Sequence, residues 1–237
     1  MKNNKRAVIL AGGTGTRLRP YTYSLPKPLV PVGNMPVLEI IIRQLKMFGF
    51  SHITLAVNHM SEIIKAFFED GRKWGIKIDY SVELKRLGTM GPLTRIKDLP
   101  DDFLVMNGDI ISDLDYEKFF NFHKRKKSIF TISSFVRDEI VDYGVLGTSN
   151  GCLMEISEKP VMRYEVSMGI YMASKKVVDL IPRNKEFGFD QLMIKLLASK
   201  KEVYVRKHNK YWLDIGRPSD YSKAIEDYES KIKKYFL

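Results

Sequence analysis

Apolar and polar positions follow two rhythms along this chain. In the first half, short apolar runs alternate with segments whose apolar residues recur every three to four positions. Ala7–Ala11 reads as a buried strand. Met35–Phe48 has helical spacing, with Asn34 as N-cap and Pro36 in the first turn. The pattern then predicts a strand over His52–Val57, a helix over Ser61–Trp74 capped by Ser61, and a strand over Ile76–Val82. A short helix near Gly91–Lys97, a strand at Phe103–Met106 and a helix over Asp115–Lys127 follow. This β-α-β-α order predicts an α/β fold with a doubly wound, mostly parallel sheet.

The second half changes rhythm. Ile129–Val136, Gly144–Thr148, Leu153–Ile156 and Val166–Ala173 are short strand patterns, with Ser149-Asn150-Gly151 as a turn. They suggest antiparallel additions, making the sheet mixed. Helices are expected at Lys175–Ile181 and Asp190–Ser199, strands at Glu202–Lys207 and Tyr211–Leu213, and a last helix from Pro218 to about Lys234. No repeat, low-complexity stretch or linker interrupts the chain. Residues 1–237 read as a single domain with two lobes, about 1–115 and about 116–237.

Composition narrows the class. At 237 residues, 44% hydrophobic and 28% charged, the chain can bury a substantial core. The basic start Met1–Arg6 is followed by an apolar run too short for a signal peptide, and no run approaches the roughly 18 residues of a membrane span. The single Cys152 excludes an intrachain disulfide, fits a reducing, cytoplasmic setting and reads as a semi-buried structural residue. The net charge of +11 raises nucleic-acid binding as an alternative. Its clusters, such as His123–Lys127 and Lys231–Lys234, fall at apparent helix ends and lack an aromatic-interleaved stripe. Neither a nucleic acid nor a membrane is therefore expected as partner; attraction of small polyanions is. Phe119, Phe120 and Phe122 could serve a homo-oligomer, but burial against the sheet is the preferred reading.

The chemistry concentrates in Leu10-Ala11-Gly12-Gly13-Thr14-Gly15-Thr16-Arg17-Leu18-Arg19. Glycines let a ligand approach bare N–H groups, and arginine grips phosphate. The third glycine of a dinucleotide fingerprint is missing, and so is the G-K-[ST] of a Walker loop. Asn107-Gly108-Asp109 ends a strand on the same sheet edge, where a carboxylate near phosphates serves to hold Mg²⁺. Asp214 closes another short strand; by spacing alone, a second metal ligand and a turn aspartate are equal alternatives. Pro26-Lys27-Pro28 presents a lysine rigidly, and Glu158-Lys159-Pro160 repeats the device, suggesting two phosphate clamps.

In order along the chain, L-A-G-G-T-G-T-R-L-R-P, P-K-P, L-G-T at Leu87–Thr89, N-G-D, Y-G-V at Tyr143–Val145, E-K-P and W-L-D-I-G at Asp214 resemble the motifs of sugar-1-phosphate nucleotidyltransferases. The resemblance covers nearly the whole chain. It implies a Rossmann-like, GT-A-type domain in which a sugar 1-phosphate attacks the α-phosphorus of a nucleoside triphosphate, releasing pyrophosphate. It implies that Leu10, Ala11, Gly12, Gly13, Thr14, Gly15, Thr16 and Arg17, with Asn107 and Gly108, hold the nucleotide, and that Glu83, Gly88 and Thr89 line the nucleoside pocket. Arg17, Lys27 and Asp109 are the implied catalytic residues, and Asp109 and Asp214 the Mg²⁺ ligands. Tyr143, Gly144, Glu158, Lys159 and Gly169 are implied to bind the sugar phosphate.

Two motifs depart from the family pattern. Met90 and Pro92 replace the usual alanines of L-G-T-A-G-A, and Ser167 stands where the sugar-side motif carries asparagine. LVPVGNMPVLEIIIRQL and YSVE look most like the mannose-1-phosphate guanylyltransferase branch, so GTP with a mannose or heptose 1-phosphate is the favoured pair. Uridylyl-, thymidylyl- or cytidylyl transfer to glucose 1-phosphate stays open, as does a non-catalytic nucleotide-sugar sensor. The stop at Leu237 after the last helix implies no fused C-terminal β-helix.

Overall fold

A computed structural model describes residues 5–235. Met1–Asn4 of the basic start Met1–Arg6, and Leu237, read as the stop after the last helix, lie outside them.

The chain opens with β1 (Lys5–Leu10), then 3-10 turns at Thr16–Leu18 and Lys27–Leu29. A tight hairpin, β2 (Pro31–Val32) and β3 (Met35–Pro36), leads into α1 (Val37–Met47). Next come β4 (Phe50–Val57), α2 (Ser61–Phe68), β5 (Lys77–Val82), a 3-10 helix at Gly91–Arg95, β6 (Asp102–Asn107), β7 (Ile110–Ser112) and α3 (Tyr116–Lys126). The second half holds β8 (Phe130–Ile140), β9 (Gly144–Ser149), β10 (Cys152–Glu158), β11 (Val161–Ser174), a 3-10 helix at Lys175–Leu180, α4 (Phe189–Ala198), β12 (Val203–His208), β13 (Trp212–Asp214) and α5 (Pro218–Asp227). A π-turn and a 3-10 turn continue α5 through 228–235.

Seven strands form the main sheet in the order β12-β8-β11-β6-β1-β4-β5. All run parallel except β11, which is antiparallel to both β6 and β8. Strand alternation sends Ala7, Ile9, Leu104 and Met106 into the core under α1, α2, α3 and α5. Val8, Phe103 and Val105 enter the opposite core beneath α4. Both faces are covered, which is why the strands read as continuous apolar runs. No helix among the described residues is long and apolar enough to cross a membrane.

Several sequence expectations need correction. Asn34 does not cap α1; its Oδ1 accepts a 2.6 Å bond from the Tyr228 hydroxyl, and α1 begins after Pro36 without a side-chain cap. α2 stops at Phe68 instead of reaching Trp74, because Glu69 turns to φ +44° and Gly71 to φ +84°. Lys175–Leu180 is 3-10 rather than α-helical. β9 and β10 form their own two-stranded sheet and do not join the main one. Cys152 is exposed on that hairpin, not semi-buried. The expected packing of α3 holds: Phe119 and Phe120 are buried, with Phe122 half-buried. Asp115 caps that helix by accepting from the Lys118 N–H.

Candidate active site

The carboxyl ends of β1, β4 and β6 open into a cleft of about 510 Å³, within the ordinary range for a small-molecule site. Leu10 through Arg17, Lys27, Glu83, Gly88, Thr89 and Asn107 through Asp109 all line it. The strand ends are tied together, since the Gly108 N–H bonds the Leu10 carbonyl and the Ala11 N–H bonds Ala56. The N–H groups of Gly12 through Gly15 make no hydrogen bond among the described residues. Gly15 sits at φ +64°, where its carbonyl accepts from the Thr22 hydroxyl and starts the turn that carries Arg17. Such a run of free donors beside a cation is an anion cradle. Of the two loop arginines, Arg17 lines the cleft, whereas Arg19 turns away and stacks on Tyr23 at 4.9 Å.

Lys27 projects from its 3-10 turn between the buried Pro26 and Pro28 and pairs with Asp109 Oδ2. Asp109 Oδ1 is buried and has no hydrogen-bond partner. Pairing of β13 with β7 sets Asp214 opposite Ile110, and the Ile215 N–H bonds the Asp109 carbonyl at 3.0 Å. Two carboxylates 105 positions apart in sequence are thus brought close enough for the charge of Asp109 to act on Asp214, although Asp214, unlike Asp109 and Gly216, does not line the cleft. Burial and the nearby Asp109 charge push Asp214 up to about 6, against the opposing pull of Lys27.

At the nucleoside end, Glu83 is buried and accepts the Leu87 N–H at 3.1 Å. Burial raises its pKa despite that bond and the Arg95 charge. Gly88 lies at φ +75°, and a Cβ there would fall 2.7 Å from the Phe187 carbonyl oxygen. Thr89 accepts from the Phe189 N–H. Met90 is buried away from the cleft, so its bulk is spent in the core; Pro92 lines the cleft.

The remaining expected residues are not gathered there. Tyr143, Gly144, Glu158 and Lys159 lie on the exposed β9–β10 arm, outside the cleft lining. Lys159 pairs with Asp142 at 2.9 Å and is half exposed. Gly169, in the irregular stretch of β11 between Ser167 and Tyr171, does reach the cleft edge, since a Cβ there would meet the Asn107 amide nitrogen at 2.7 Å. Ser167 donates to the Tyr171 hydroxyl and accepts from the Gly169 N–H, shaping that bulge. Three residues escaped the sequence reading. Asn58 and Arg86 line the cleft, and the Asp220 charge adds to the rise of Asp214. Asn58 follows a parallel strand directly, a signal that could have found it; the other two had none.

Residues 6–231 match the pattern that defines the nucleotidyl transferase family. The chain belongs to that family. The chain is 36% identical, over 93% of its length, to the UTP–glucose-1-phosphate uridylyltransferase of Synechocystis sp.. It is 35% identical, over 97% of its length, to the mannose-1-phosphate guanyltransferase of Yarrowia lipolytica. It spans 62% and 65% of the length of those two relatives. Among solved structures, HddC from Yersinia pseudotuberculosis complexed with GMP-PN superposes with a TM-score of 0.73 at 29% identity, covering 95% of this chain and 100% of that one.

Proposed function

We propose that the nucleotidyl transferase joins a nucleoside triphosphate to a sugar 1-phosphate, releasing pyrophosphate. One observation carries the reading: a single cleft gathers a loop of unbonded N–H groups, Lys27 and Asp109, with Asp214 just behind its lining and close enough to feel the charges of both Asp109 and Lys27. In that reading the N–H groups of Gly12 through Gly15, with Arg17, hold the triphosphate. Lys27 offsets charge building on the α-phosphoryl oxygens, and Glu83, Gly88 and Thr89 frame the nucleoside. Positioning and charge neutralisation suffice for such a transfer, without a covalent intermediate.

The donor set suits a hard cation, because Asp109 Oδ1 is buried without a partner and Asp214 is destabilised by its neighbour's charge. Asp109 and Asp214 would hold Mg²⁺, which neutralises phosphate charge and makes the α-phosphorus more electrophilic. Two protein carboxylates leave the remaining positions to water and substrate, as Mg²⁺ prefers.

GTP with a manno-configured sugar phosphate is the favoured pair, supported by the similarity to a mannose-1-phosphate guanyltransferase and to a structure holding GMP-PN. A uridylyl reading has its own support in the Synechocystis relative. Pyrophosphate release, with GTP, UTP, dTTP and CTP crossed against mannose, glucose and heptose 1-phosphates, tests both. Release with GTP and the manno sugar is expected. Release confined to UTP and glucose 1-phosphate would replace that pair, and nucleotide binding without release from any pair would overturn catalysis in favour of sensing.

A further inference from the structure

A second cavity, larger at about 680 Å³, lies at the other end of the same sheet. Asp101 and Asp102, at the start of β6, line it, whereas Asn107, at that strand's end, lines the cleft. Five strand steps separate the two by roughly 16 Å, so they are different places.

His123 gives this cavity a built feature. Its ring is fully buried at the end of α3, and Nδ1 is engaged with the Thr131 hydroxyl at 2.8 Å. Nε2 makes no hydrogen bond, and Asp102 Oδ1 stands 3.3 Å away, within ion-pair reach. A buried ring nitrogen left this way is costly unless something else supplies its partner. Both His123 and Asp102 line the cavity.

The rim carries charges of both signs. Lys127, Lys175, Lys176 and Arg183 line it, and their side chains make no ion pair or hydrogen bond among the described residues. Asp98, Asp101 and Asp179 line it too, equally without side-chain partners. No group of three His, Cys, Asp or Glu among the described residues could hold a metal ion, so the carboxylates do not form a cation site. A bare anion would leave the carboxylates unused and repelled. A neutral polyol would leave the cations unused. A phosphate ester on a polyhydroxylated carbon skeleton answers both: lysines and arginine take the phosphate, and carboxylates accept from the hydroxyls. The volume is of the right order for such a molecule.

We propose that this rear cavity is a second binding site, for a sugar or polyol phosphate, with the His123–Asp102 pair, whose Nε2 makes no hydrogen bond, and the mixed-charge rim as its recognition groups. The assignment is independent of the chemistry proposed for the cleft.

Titration calorimetry on the full chain tests it with three probes: glucose 6-phosphate, fructose 1,6-bisphosphate and inorganic phosphate. None has a monophosphate on a free-standing anomeric carbon of the substrate type proposed above. At least one ester should bind saturably with Kd below about 2 mM, and at least about tenfold tighter than inorganic phosphate. The double variant Lys175→Glu, Arg183→Glu alters two exposed side chains, and its fold is checked by circular dichroism. It should weaken that binding by about tenfold or more. Lys27→Ala, in the cleft, should leave it unchanged, and the His123 Cε1–H resonance should shift on binding. Absence of saturable binding below that limit would overturn the site. So would binding indifferent to the rim variant, binding no tighter than phosphate alone, or binding lost in Lys27→Ala.

Discussion

Asp109 divides its two oxygens between different environments, Oδ2 on Lys27 and Oδ1 on nothing. Asp109→Ala should therefore cut turnover by at least about a hundredfold while circular dichroism stays unchanged, with steady-state kinetics across a Mg²⁺ titration as the measurement. Asp214 offers a pH prediction. Its pKa, raised from 3.8 to about 6, means the folded chain holds a proton that the unfolded chain releases. Metal-free stability contributed by this group is therefore present below that window and lost as pH rises through it. A cation must displace the same proton, so Mg²⁺ affinity should fall as pH drops below about 6, and Asp214→Asn should flatten that dependence in titrations at two pH values. Lys159→Ala should mainly raise KM for the sugar phosphate; an effect confined to the nucleotide would remove Lys159 from that role. At this scale Lys27 and Asp109 were legible because prolines and a strand end announce them. Asp214 was ambiguous, since its partner is remote in sequence. Arg19 misled, because nothing in the local pattern reveals that Tyr23 takes its guanidinium.

Elements were legible where one periodicity ran unbroken, as in β1, α1 and α3. They were misread where a backbone turn ended the pattern early. The apolar spacing of Ser61–Trp74 persists past Phe68 because Phe68 and Trp74 pack together, ring centroids 5.1 Å apart, across the turn at Glu69 and Gly71. Of the β2–β3 hairpin, β3 hid in the first residues of the segment read as helix from Met35, and β2 just before it was not read as an element. Its turn residue Gly33 lies at φ +63°, and a Cβ there would fall 2.1 Å from the Tyr228 ring. Gly33→Ala should destabilise the chain by about 2–3 kcal/mol, combining backbone strain with overpacking. Chemical denaturation at constant m measures it, and a loss below about 0.5 kcal/mol would show that the ring moves aside without cost.

The whole molecule is a sheet with a cleft at the carboxyl ends of its strands, and this much followed from the order of elements. The sequence motifs divided the expected residues between a nucleotide lobe and a sugar-phosphate lobe; the structure gathers the nucleotide-side group and leaves Tyr143, Gly144, Glu158 and Lys159 on an outlying arm. Motif order carries no distance, which is why the extent of that separation was invisible. The segment from Gly88 to Ile96 lines the cleft at Gly88, Thr89 and Pro92 and the rear cavity at Thr94 and Ile96. Heat stability should respond to cleft occupancy by mass action. Nucleotide with Mg²⁺ at about a hundred times Kd adds about 2.7 kcal/mol, and differential scanning fluorimetry should show a gain that Asp109→Ala abolishes.

The pairing of β13 with β7 also sets a timetable. The glycine loop, Lys27 and Asp109 leave the ribosome early, yet the second carboxylate arrives only with residue 214 of 237, and Tyr221 and Tyr228 then fasten the last turns onto the Pro31 carbonyl and the Asn34 side chain. A half-made chain thus carries a phosphate cradle without its full pair of acidic groups. Newly synthesised protein should not turn nucleotide over until residue 214 has emerged.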